Sequence, residues 1–410
     1  MSSRSSTVGP VDRDALKILT RNHREGVTDD GLRYEYTRPD RDKYPAQFYW
    51  DSCFHAFSLA RLKPEWARAE LRSLVAAQES SGFIGHTVFW DAPIRSSRRL
   101  FYNVIDGNDR MTRTIQPPFL ALAWEAVAQA SPDDPGFLAE GIAPLIAHYD
   151  WLARERDPER VCLLSIIQPD ESGLDASPKF DALLSWRAAG YPGFVALVQR
   201  NRRDHFELGR IKARNGFVVE EVLVNVAYAL SLQALARLSG EARFAERAAN
   251  VRDALIERCY DEQTGLFFDR HATGLQKVST WTSVAPLALP DLDPVVAERL
   301  IGEHVLNTNE FWLPFPIPSA SASERSFKPF TRLLRYWRGP TWMPCAWLIH
   351  RGLGEHGRDE AAQELAGRVA TLVARHGFRE YYDPYDGRGM GAGHFGMSTL
   401  ASVITASASS

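Results

Sequence analysis

Apolar residues along this chain recur at the three- and four-residue spacing of amphipathic helices, whereas alternating strand patterns are few and short. Some helix boundaries carry their own signals, such as proline in a first turn at Pro64 and the tight Ser239-Gly240 link. The pattern predicts helices at residues 12–24, 51–62, 64–78, 117–130, 136–156, 220–239, 241–260, 281–289, 293–306, 339–353, 358–376 and 393–406.

The links between these helices alternate between short and long. The short links, which suit antiparallel neighbouring helices, are residues 62–64, 130–136, 239–241, 289–293 and 353–358. The long links, which are rich in Gly, Pro, Trp and Tyr, are residues 25–50, 79–116, 157–219, 261–280, 307–338 and 377–392. Because long structured loops usually carry function, we expect the functional site on this second set.

The helices that follow long links are less charged than the others. A closed ring of helix pairs would place them inside, where burial on all sides removes the need for a polar face. We therefore predict an all-α (α/α)6 toroid, with six inner and six outer helices and every long loop at one mouth. It is expected to be a single domain over residues 1–410, with residues 1–11 as a disordered tail. A repeat solenoid would alternate similarly, but the repeats here match neither in length nor in sequence.

Composition narrows the functional classes. The chain has 410 residues, 45% of them apolar, which is enough for a large core. Its net charge is only −3 and its basic residues are dispersed, so no nucleic-acid partner is expected. The four cysteines form no C-x-x-C pair, which predicts buried free thiols. Without a signal-peptide or membrane-span pattern, the expected location is cytoplasmic, with no membrane partner.

Two acidic motifs lie on long links that the predicted toroid places at the same mouth. They are E-S-G-L-D at residues 171–175 and R-E-Y-Y-D-P at residues 379–384. Glycoside hydrolysis needs two such carboxyl groups, one protonated to donate to the leaving oxygen and one ionised to activate water. Turn formation or helix capping is the structural alternative for each. The competing residues are Glu171, Asp175 and Asp181 in the first loop and Glu380, Asp383 and Asp386 in the second.

Five motifs, taken in order, resemble those of glycoside hydrolase family 63 and, more distantly, the family 37 trehalases. They are Y-W-D-S-C-F-H-A at 49–56, G-F-I-G-H at 82–86, E-S-G-L-D-A-S at 171–177, Y-W-R-G-P-T-W at 336–342 and R-E-Y-Y-D-P-Y-D-G at 379–387. The resemblance runs along most of the chain and implies the same toroid. The short bacterial members of the family hydrolyse mannosylglycerate or glucosylglycerate, so it also implies a small glycoside with a short aglycone.

The resemblance implies specific catalytic roles. The residue that matches the family's general acid is Asp175, and the one that matches its general base is Glu380. The family inverts configuration, which implies carboxyl groups about 6.5–9.5 Å apart with a water between them; about 5 Å would indicate retention. Gly173 is expected to let the backbone pass close to the sugar.

The substrate-binding set combines aromatic walls with polar groups. The expected aromatic residues are Tyr44, Trp50, Tyr336, Trp337 and Trp342. Asp51 is expected to grip two hydroxyl groups or to cap a helix. His86 and Gln116 match positions near the cleft, but either could cap a backbone instead. Arg338 is expected either to orient the acidic residues or to form a structural ion pair.

Two further features concern substrate identity. The basic run at residues 199–203 could meet the carboxylate of a glycerate aglycone, although surface charge is the commoner explanation of such a run. The chain departs from the family at residues 167–170, where tryptophan is usual before the acid motif, and at residues 394–397. Changed walls alter which sugar or aglycone fits.

We therefore expect an inverting α-glycosidase that acts on a small-molecule glycoside, mannosylglycerate or glucosylglycerate first, with no cofactor and no metal. Two alternatives stay open. One is a trehalase-like or other α-glucosidase, and the other is a catalytically inactive toroid that still binds sugar.

Overall fold

A computed structural model of the chain describes residues 9–90, 104–105, 108–184, 191–330 and 336–407. The α-helices are α1 (Pro10–Asn22), α2 (Tyr49–Leu62), α3 (Pro64–Ala76), α4 (Leu120–Gln129), α5 (Pro135–Arg156), α6 (Tyr191–Arg203), α7 (Leu208–Ala213), α8 (Val222–Ser239), α9 (Ala242–Cys259), α10 (Pro294–Arg299), α11 (Met343–Glu355), α12 (Asp359–His376) and α13 (Leu400–Ser407). A π-helical turn at Leu300–Val305 continues α10.

Short strands occupy the links. They are β1 (His23–Val27), β2 (Arg33–Thr37), β3 (Gln47–Phe48), β4 (Thr87–Val88), β5 (Val104–Ile105), β6 (Asn108–Thr112), β7 (Ser165–Ile166), β8 (Val219–Glu220), β9 (Tyr260–Asp261), β10 (Leu266–Phe267), β11 (Arg270–His271), β12 (Gly274–Leu275), β13 (Tyr381–Tyr382) and β14 (Gly389–Met390). The larger sheets have the strand orders β3-β4-β6-β5 and β12-β11-β8-β7. All pairings among the described strands are antiparallel.

Most predicted helices are confirmed, with ends shifted by a few residues, and their caps explain where they begin. The side chain of Asp134 accepts a hydrogen bond from the amide of Phe137 at the start of α5. Glu221 does the same for Val224 at the start of α8. That helix ends at Gly240, which takes the left-handed conformation that glycine adopts without strain.

Three expectations about local structure were wrong. Residues 281–289 form two 3-10 turns, Trp281–Ser283 and Ala285–Ala288, since Pro286 cannot donate a backbone hydrogen bond. The long link after α5 contains the unpredicted helices α6 and α7. The helix α1 begins at Pro10, so the expected disordered tail overlaps it; residues 1–8 of that tail lie outside the described residues.

The helices pack in two interlocking series. Consecutive helices pair as α2 with α3, α4 with α5, α8 with α9 and α11 with α12. A second series runs α2, α4, α8, the turn Ala285–Ala288, α11 and α13, each in contact with the next, and α13 contacts α2. One buried hydrophobic cluster extends from Ala15 to Ile404. The members of the second series are therefore buried by neighbours on several sides.

Burial accounts for the apolar helix α8. Among the described residues it is the one helix with the length and composition of a membrane span, which the sequence patterns had not indicated. Within the protein, 72% of it is buried, as is usual for a core helix. Cys53, Cys259 and Cys345 are buried free thiols as predicted, whereas Cys162 is only half-buried.

A buried ion cluster joins the loop that carries Asp175 to the rest of the core. The ammonium group of Lys179 contacts the carboxylate of Glu221, lies 3.0 Å from Oδ2 of Asp269, and donates to Thr282 Oγ1 at 3.2 Å. The two carboxylates in turn accept hydrogen bonds from backbone amides at the start of α8. The ammonium group of Lys179 thus attaches this loop to Glu221, directly before α8, and to Asp269, directly before β11.

Lys179→Met should destabilise the fold, because it leaves two buried carboxylates without their cation. We expect a loss of about 3–5 kcal/mol in the free energy of unfolding, measured by denaturant titration. Lys212→Met is the matched control, since Lys212 pairs with Glu159 at the surface, where such a pair contributes about 1 kcal/mol or less. Equal losses in the two variants would contradict the assigned role of Lys179.

Candidate active site

Glu380 lies directly before β13 and is almost completely buried. Its carboxylate accepts three hydrogen bonds: from Tyr44 Oη to Oε1 at 2.7 Å, from Lys43 Nζ to Oε2 at 2.6 Å, and from the Ala392 amide to Oε2 at 2.7 Å. One of the donors is cationic and all three can serve an ionised carboxylate. The environment of Glu380 therefore suits a negatively charged group.

Asp175 has a different environment, in the loop between two 3-10 turns, Pro169–Ser172 and Pro178–Phe180. Solvent reaches its carboxyl group from one side, while protein surrounds it on the others. Loss of hydration raises its pKa, and the negative charge of Glu380 raises it further. The Tyr336 hydroxyl, which donates to Oδ2 at 2.7 Å, lowers the pKa.

The two acidic motifs meet in one neighbourhood. The charge of Glu380 acts on Asp175, and both carboxylates help to raise the pKa of Tyr44, although burial is the largest cause. The ring of Tyr336, whose hydroxyl bonds to Asp175, stacks on the ring of Tyr381, which follows Glu380 in the chain. Their centroids are 6.1 Å apart. Residues more than two hundred positions apart in the chain therefore share one cleft.

The competing acids of the first loop are occupied by structural partners. Glu171 is fully buried and receives two hydrogen bonds from Arg156, at 2.6 and 3.1 Å. It also accepts from the amides of Ile115 and Ile167. Asp181 accepts hydrogen bonds from both terminal guanidinium nitrogens of Arg338.

The competing acids of the second loop shape the turn after β13. Oδ1 of Asp383 accepts from the amide of Tyr385 at 2.9 Å, and Oδ1 of Asp386 accepts from the amide of Arg388 at 2.8 Å. Side-chain oxygens that bind an amide two residues later are typical of turns. The contacts of Asp383 and Asp386 therefore agree with turn formation, the structural alternative to a catalytic role.

Arg338 forms an ion pair with the loop that carries Asp175, which is called the acid loop below. In addition to its bonds with Asp181, its Nε donates to the carbonyl of Ala176 at 3.1 Å. The guanidinium group thus fixes the turn that follows Asp175. Of the two expectations for Arg338, the contacts match the structural ion pair.

Three tryptophans form an aromatic floor, defined as Trp50, Trp337 and Trp342. The rings of Trp337 and Trp342 are stacked with centroids 3.9 Å apart, and Trp50 is tilted against Trp337. All three are buried, so little of their ring surface is left to stack on a sugar, as had been expected of them. Tyr381, stacked on Trp342 at 5.0 Å, is more accessible.

The contacts of Tyr44 and Gly173 differ from those expected. Tyr44 was expected as a stacking wall, but its hydroxyl is a donor to Glu380 and its ring packs edge-on against Phe48 and Phe395. Gly173 has φ +75°, and a Cβ there would lie 2.5 Å from the Trp50 ring. The close neighbour that requires glycine is therefore Trp50.

The start of α2 collects the remaining predicted residues. The carbonyl of His86 accepts from the Tyr49 amide at 2.9 Å, and Gln116 Oε1 accepts from the Trp50 amide at 3.0 Å. Gln116 therefore caps a backbone amide with its side chain, whereas His86 contributes its main-chain carbonyl and not its ring. Asp51 is the third residue of α2 and not its N-cap; burial raises its pKa to about 7, and His55 opposes this.

Known proteins are similar to this chain along nearly its whole length. The profile of the mannosylglycerate hydrolase MGH1-like glycoside hydrolase domain matches residues 44–398. A mannosylglycerate hydrolase from Rubrobacter radiotolerans is 30% identical, over 90% of this chain and 92% of the relative. The chain belongs to this glycoside hydrolase family. It is therefore a glycoside hydrolase of family 63 type.

Other relatives of the hydrolase support the same assignment. A glucosylglycerate hydrolase from Mycolicibacterium hassiacum is 25% identical, over 85% of this chain and 89% of the relative. The family 63 mannosylglycerate hydrolase of Thermus thermophilus superposes with a TM-score of 0.85 and 26% identity, covering 97% of this chain and all of that one. The neutral trehalase of Saccharomyces cerevisiae, at 17% identity and TM-score 0.63 over 97% and 80% of the chains, shares the fold.

Several residues of the hydrolase's cleft escaped the sequence patterns. Lys43, beside Tyr44 in a long link, contacts Glu380 although it lies 337 positions away. Asp170, at the departure from the family before the acid motif, faces a histidine of another long link. Only their positions beside motif residues could have indicated these two residues, because no local sequence pattern identifies the distant side chain that each one contacts.

The basic run of the hydrolase meets the loop that carries Asp175 through the side-chain amide of Asn201. Asn201 Nδ2 donates hydrogen bonds to the Ile167 carbonyl at 2.9 Å and to Gln168 Oε1 at 3.1 Å. Both acceptors lie in the segment that departs from the family pattern. The run and the departure are therefore neighbours in space.

One group among the described residues of the hydrolase has the side chains and spacing to hold a metal ion. His23, Glu25 and Glu35 lie on the β1–β2 hairpin, with ligand atoms all within 4.8 Å of one another. His23 is stacked on Trp66 of α3, which fixes the ring. The hairpin packs on α3.

Gly173→Ala should disturb the floor beneath the acid loop of the hydrolase. A methyl group would both strain the left-handed backbone and displace Trp50, with an expected cost of about 2 kcal/mol or more in unfolding free energy. Tryptophan fluorescence and denaturant titration measure the two effects. Gly209→Ala is the control, because no atom lies within 4 Å of its added Cβ. An unperturbed Gly173→Ala would contradict the packing against Trp50.

Proposed function

We propose that this hydrolase cleaves a small α-glycoside with inversion of configuration, mannosylglycerate or glucosylglycerate first. Asp175 is the general acid and Glu380 is the general base. The observation that carries the proposal is the contrast between their environments. Asp175 has a raised pKa and a phenol as partner, whereas Glu380 is matched by a lysine, a phenol and an amide.

That contrast suits opposite proton transfers. A carboxyl group with a raised pKa keeps its proton to higher pH than a free carboxyl group does, and can give it to a leaving oxygen. A carboxylate oriented by several hydrogen-bond donors, one of them cationic, is a suitable acceptor for a proton from water. The nearby charge of Glu380 adds to the retention of the proton on Asp175.

The reaction is a single displacement at the anomeric carbon. Asp175 gives its proton to the glycosidic oxygen as the bond from that oxygen to the anomeric carbon breaks. Glu380 removes a proton from a water molecule as its oxygen bonds to the opposite face of the same carbon. The products are the free sugar and the free aglycone. Asp175 regains a proton from solvent and Glu380 loses one, which restores the starting state.

Relatives support the glycerate aglycone. They are named mannosylglycerate or glucosylglycerate hydrolase, and the structural neighbour from Thermus thermophilus is a complex with Tris and D-glycerate. An acidic aglycone needs a cation, for which arginine is well suited. The basic run at residues 199–203 approaches the acid loop through Asn201, which bonds to Ile167. This proximity supports a role for the run in recognition of the carboxylate.

We also propose that the helices close into a double ring of six inner and six outer members. Support comes from the closed contact series of α2, α4, α8, the Ala285–Ala288 turn, α11 and α13. The paired helices α3, α5, α9 and α12 lie outside that series. The π-helical turn with α10 and the N-terminal helix α1 supply the other two outer members. Such a ring places every long link at one mouth.

The trehalase-like alternative has weaker support. The trehalase neighbour shares the fold at 17% identity. A shared fold gives no information about the substrate of this hydrolase. An inactive sugar-binding protein would not need Asp175 and Glu380 in contrasting environments. In the acid loop, Arg156 anchors Glu171 while Asp175 stays open to the cleft. These features favour an active hydrolase.

Asp175→Asn and Glu380→Gln should each lower kcat about 10²–10⁴-fold on the preferred substrate, because each removes one proton transfer. The parent and both variants are assayed on mannosylglycerate, glucosylglycerate, trehalose and other α-glucosides, with bound substrate measured by calorimetry. Asp386→Asn, a turn residue, is the control. Variants as active as the parent would remove both assignments, and turnover of trehalose alone would favour the alternative.

Inversion should be visible in the first product. An α-glycoside should release the β-anomer of the sugar, because water attacks the face opposite the leaving group. Proton NMR of the anomeric region during the first turnovers, before mutarotation, measures this. Initial release of the α-anomer would indicate retention and would contradict the role of Glu380 as a base acting through water.

A further inference from the structure

The β1–β2 hairpin places a histidine and two glutamates on one face. In the antiparallel register of the two strands, Glu25 lies directly opposite Glu35. His23 precedes Glu25 by two residues, so strand alternation directs both side chains to the same side of the hairpin. Like charges directly opposite each other destabilise a strand pair. The hairpin therefore carries two carboxylates that a shared cation would stabilise.

The distances among these side chains suit the ligands of one small ion. Nε2 of His23 lies 3.5 Å from Oε1 of Glu35, which is long for a hydrogen bond. Zinc binds imidazole nitrogen and carboxylate oxygen at about 2.0–2.2 Å, so two of its tetrahedral ligands lie about 3.4 Å apart. The ligand atoms of all three side chains lie within 4.8 Å of one another. The exposed side chain of Glu25 can rotate to shorten the longer separations.

The charges around the hairpin favour a cation. In the described part of the chain, no side chain donates a hydrogen bond to the carboxylate of Glu25 or Glu35. Burial and the charge of Glu25 raise the pKa of Glu35. Glu65 and Glu70 of α3 act in the same direction, whereas Lys63 opposes them. Negative charges thus outnumber positive ones among the groups that act on Glu35.

The imidazole of His23 is held in place with its nitrogens accessible at the ring edge. The ring stacks on that of Trp66 in α3, with centroids 3.8 Å apart and planes 6° apart. Lys63 Nζ lies 3.3 Å from the centroid of the Trp66 ring and must therefore occupy the other face of that ring. Burial lowers the pKa of His23, which favours the neutral imidazole that a metal ion requires.

A surface cleft between the hairpin and α3 gives an ion access to these groups. Glu25 and Glu35 both line the cleft. The cations that line it are Arg33 and Arg72. Arg72 is paired with Glu140, and Arg33 is the first residue of β2, two positions before Glu35. The carboxylates are therefore open to solvent on the side where an ion would enter.

We propose that His23, Glu25 and Glu35 bind a transition-metal dication, with Zn²⁺ as the best match and water as the fourth ligand. An imidazole among the ligands favours zinc over magnesium and calcium, which prefer oxygen alone. Three protein ligands and one water complete a tetrahedral shell. The ion joins β1 to β2 and, through the stacked Trp66, holds the hairpin on α3.

Calorimetric titration of the chelator-treated protein with Zn²⁺ tests the site. The parent should bind one ion at the hairpin. Glu25→Gln and Glu35→Gln should each weaken that binding at least about 10-fold, because each removes one ligand. The side chain of Glu25 is exposed, so its replacement should leave the fold intact. Glu65→Gln is the matched control, since it removes a charge that acts on Glu35 but supplies no ligand, and it should change binding only slightly.

Two measurements report the ion by other means. Co²⁺ in place of Zn²⁺ should give the strong visible absorption of tetrahedral coordination in the parent and lose it in His23→Gln. Zn²⁺ should raise the Tm of the parent but not that of Glu25→Gln, because an ion that binds only the folded state stabilises it. Binding that survives in both glutamate variants, binding only at millimolar Zn²⁺, or an equal loss in Glu65→Gln would overturn the proposal.

This site is independent of the proposed function. None of its ligands belongs to the two acidic motifs, and glycoside turnover is not a readout of the test. Asp175→Asn should keep the hairpin ion, which separates that ion from any other bound between the acidic motifs. If no glycoside is turned over, the proposed function fails while the titration still decides the metal site.

Discussion

The site depends on how five carboxyl groups can lie around one cleft without their mutual repulsion opening it. They are Asp51, Asp170, Glu171, Asp175 and Glu380, which interact with one another through their charges. Buried charge is tolerated only when it is paired, hydrogen-bonded or removed by protonation. Each group meets that constraint differently, and the differences give the cleft its chemistry.

Two of the five are matched by cations. Arg156 holds Glu171 at the start of the acid loop, and Lys43 holds Glu380 beside β13. Burial raises the pKa values of the three aspartates and also that of Glu171, because it outweighs the donors around each group. A set of acids with unequal proton affinities is what acid–base chemistry near neutral pH requires. Exposure separates the structural acid Glu171, which is fully buried, from Asp175, whose carboxyl group solvent reaches.

Much of the fold was predictable because helix periodicity and capping are local. The apolar runs of α2, α4 and α8 and the Gly240 cap indicated the helices and their short links before any contact was known. The 3-10 turns near Pro286 and the helices α6 and α7 were missed, since prolines and surrounding packing decide such segments more than periodicity does. The acidic motifs placed Asp175 and Glu380 correctly on neighbouring loops.

The amino-acid sequence by itself determined the helices, the alternation of links and the two motifs, because each rests on neighbours within a few residues. The tertiary structure alone decided which acid meets which partner. Lys43 reaches Glu380, Tyr336 reaches Asp175, and His86 faces Asp170 across separate links. Protonation depends on desolvation and on charges within a few ångströms, and those distances exist only once the loops converge.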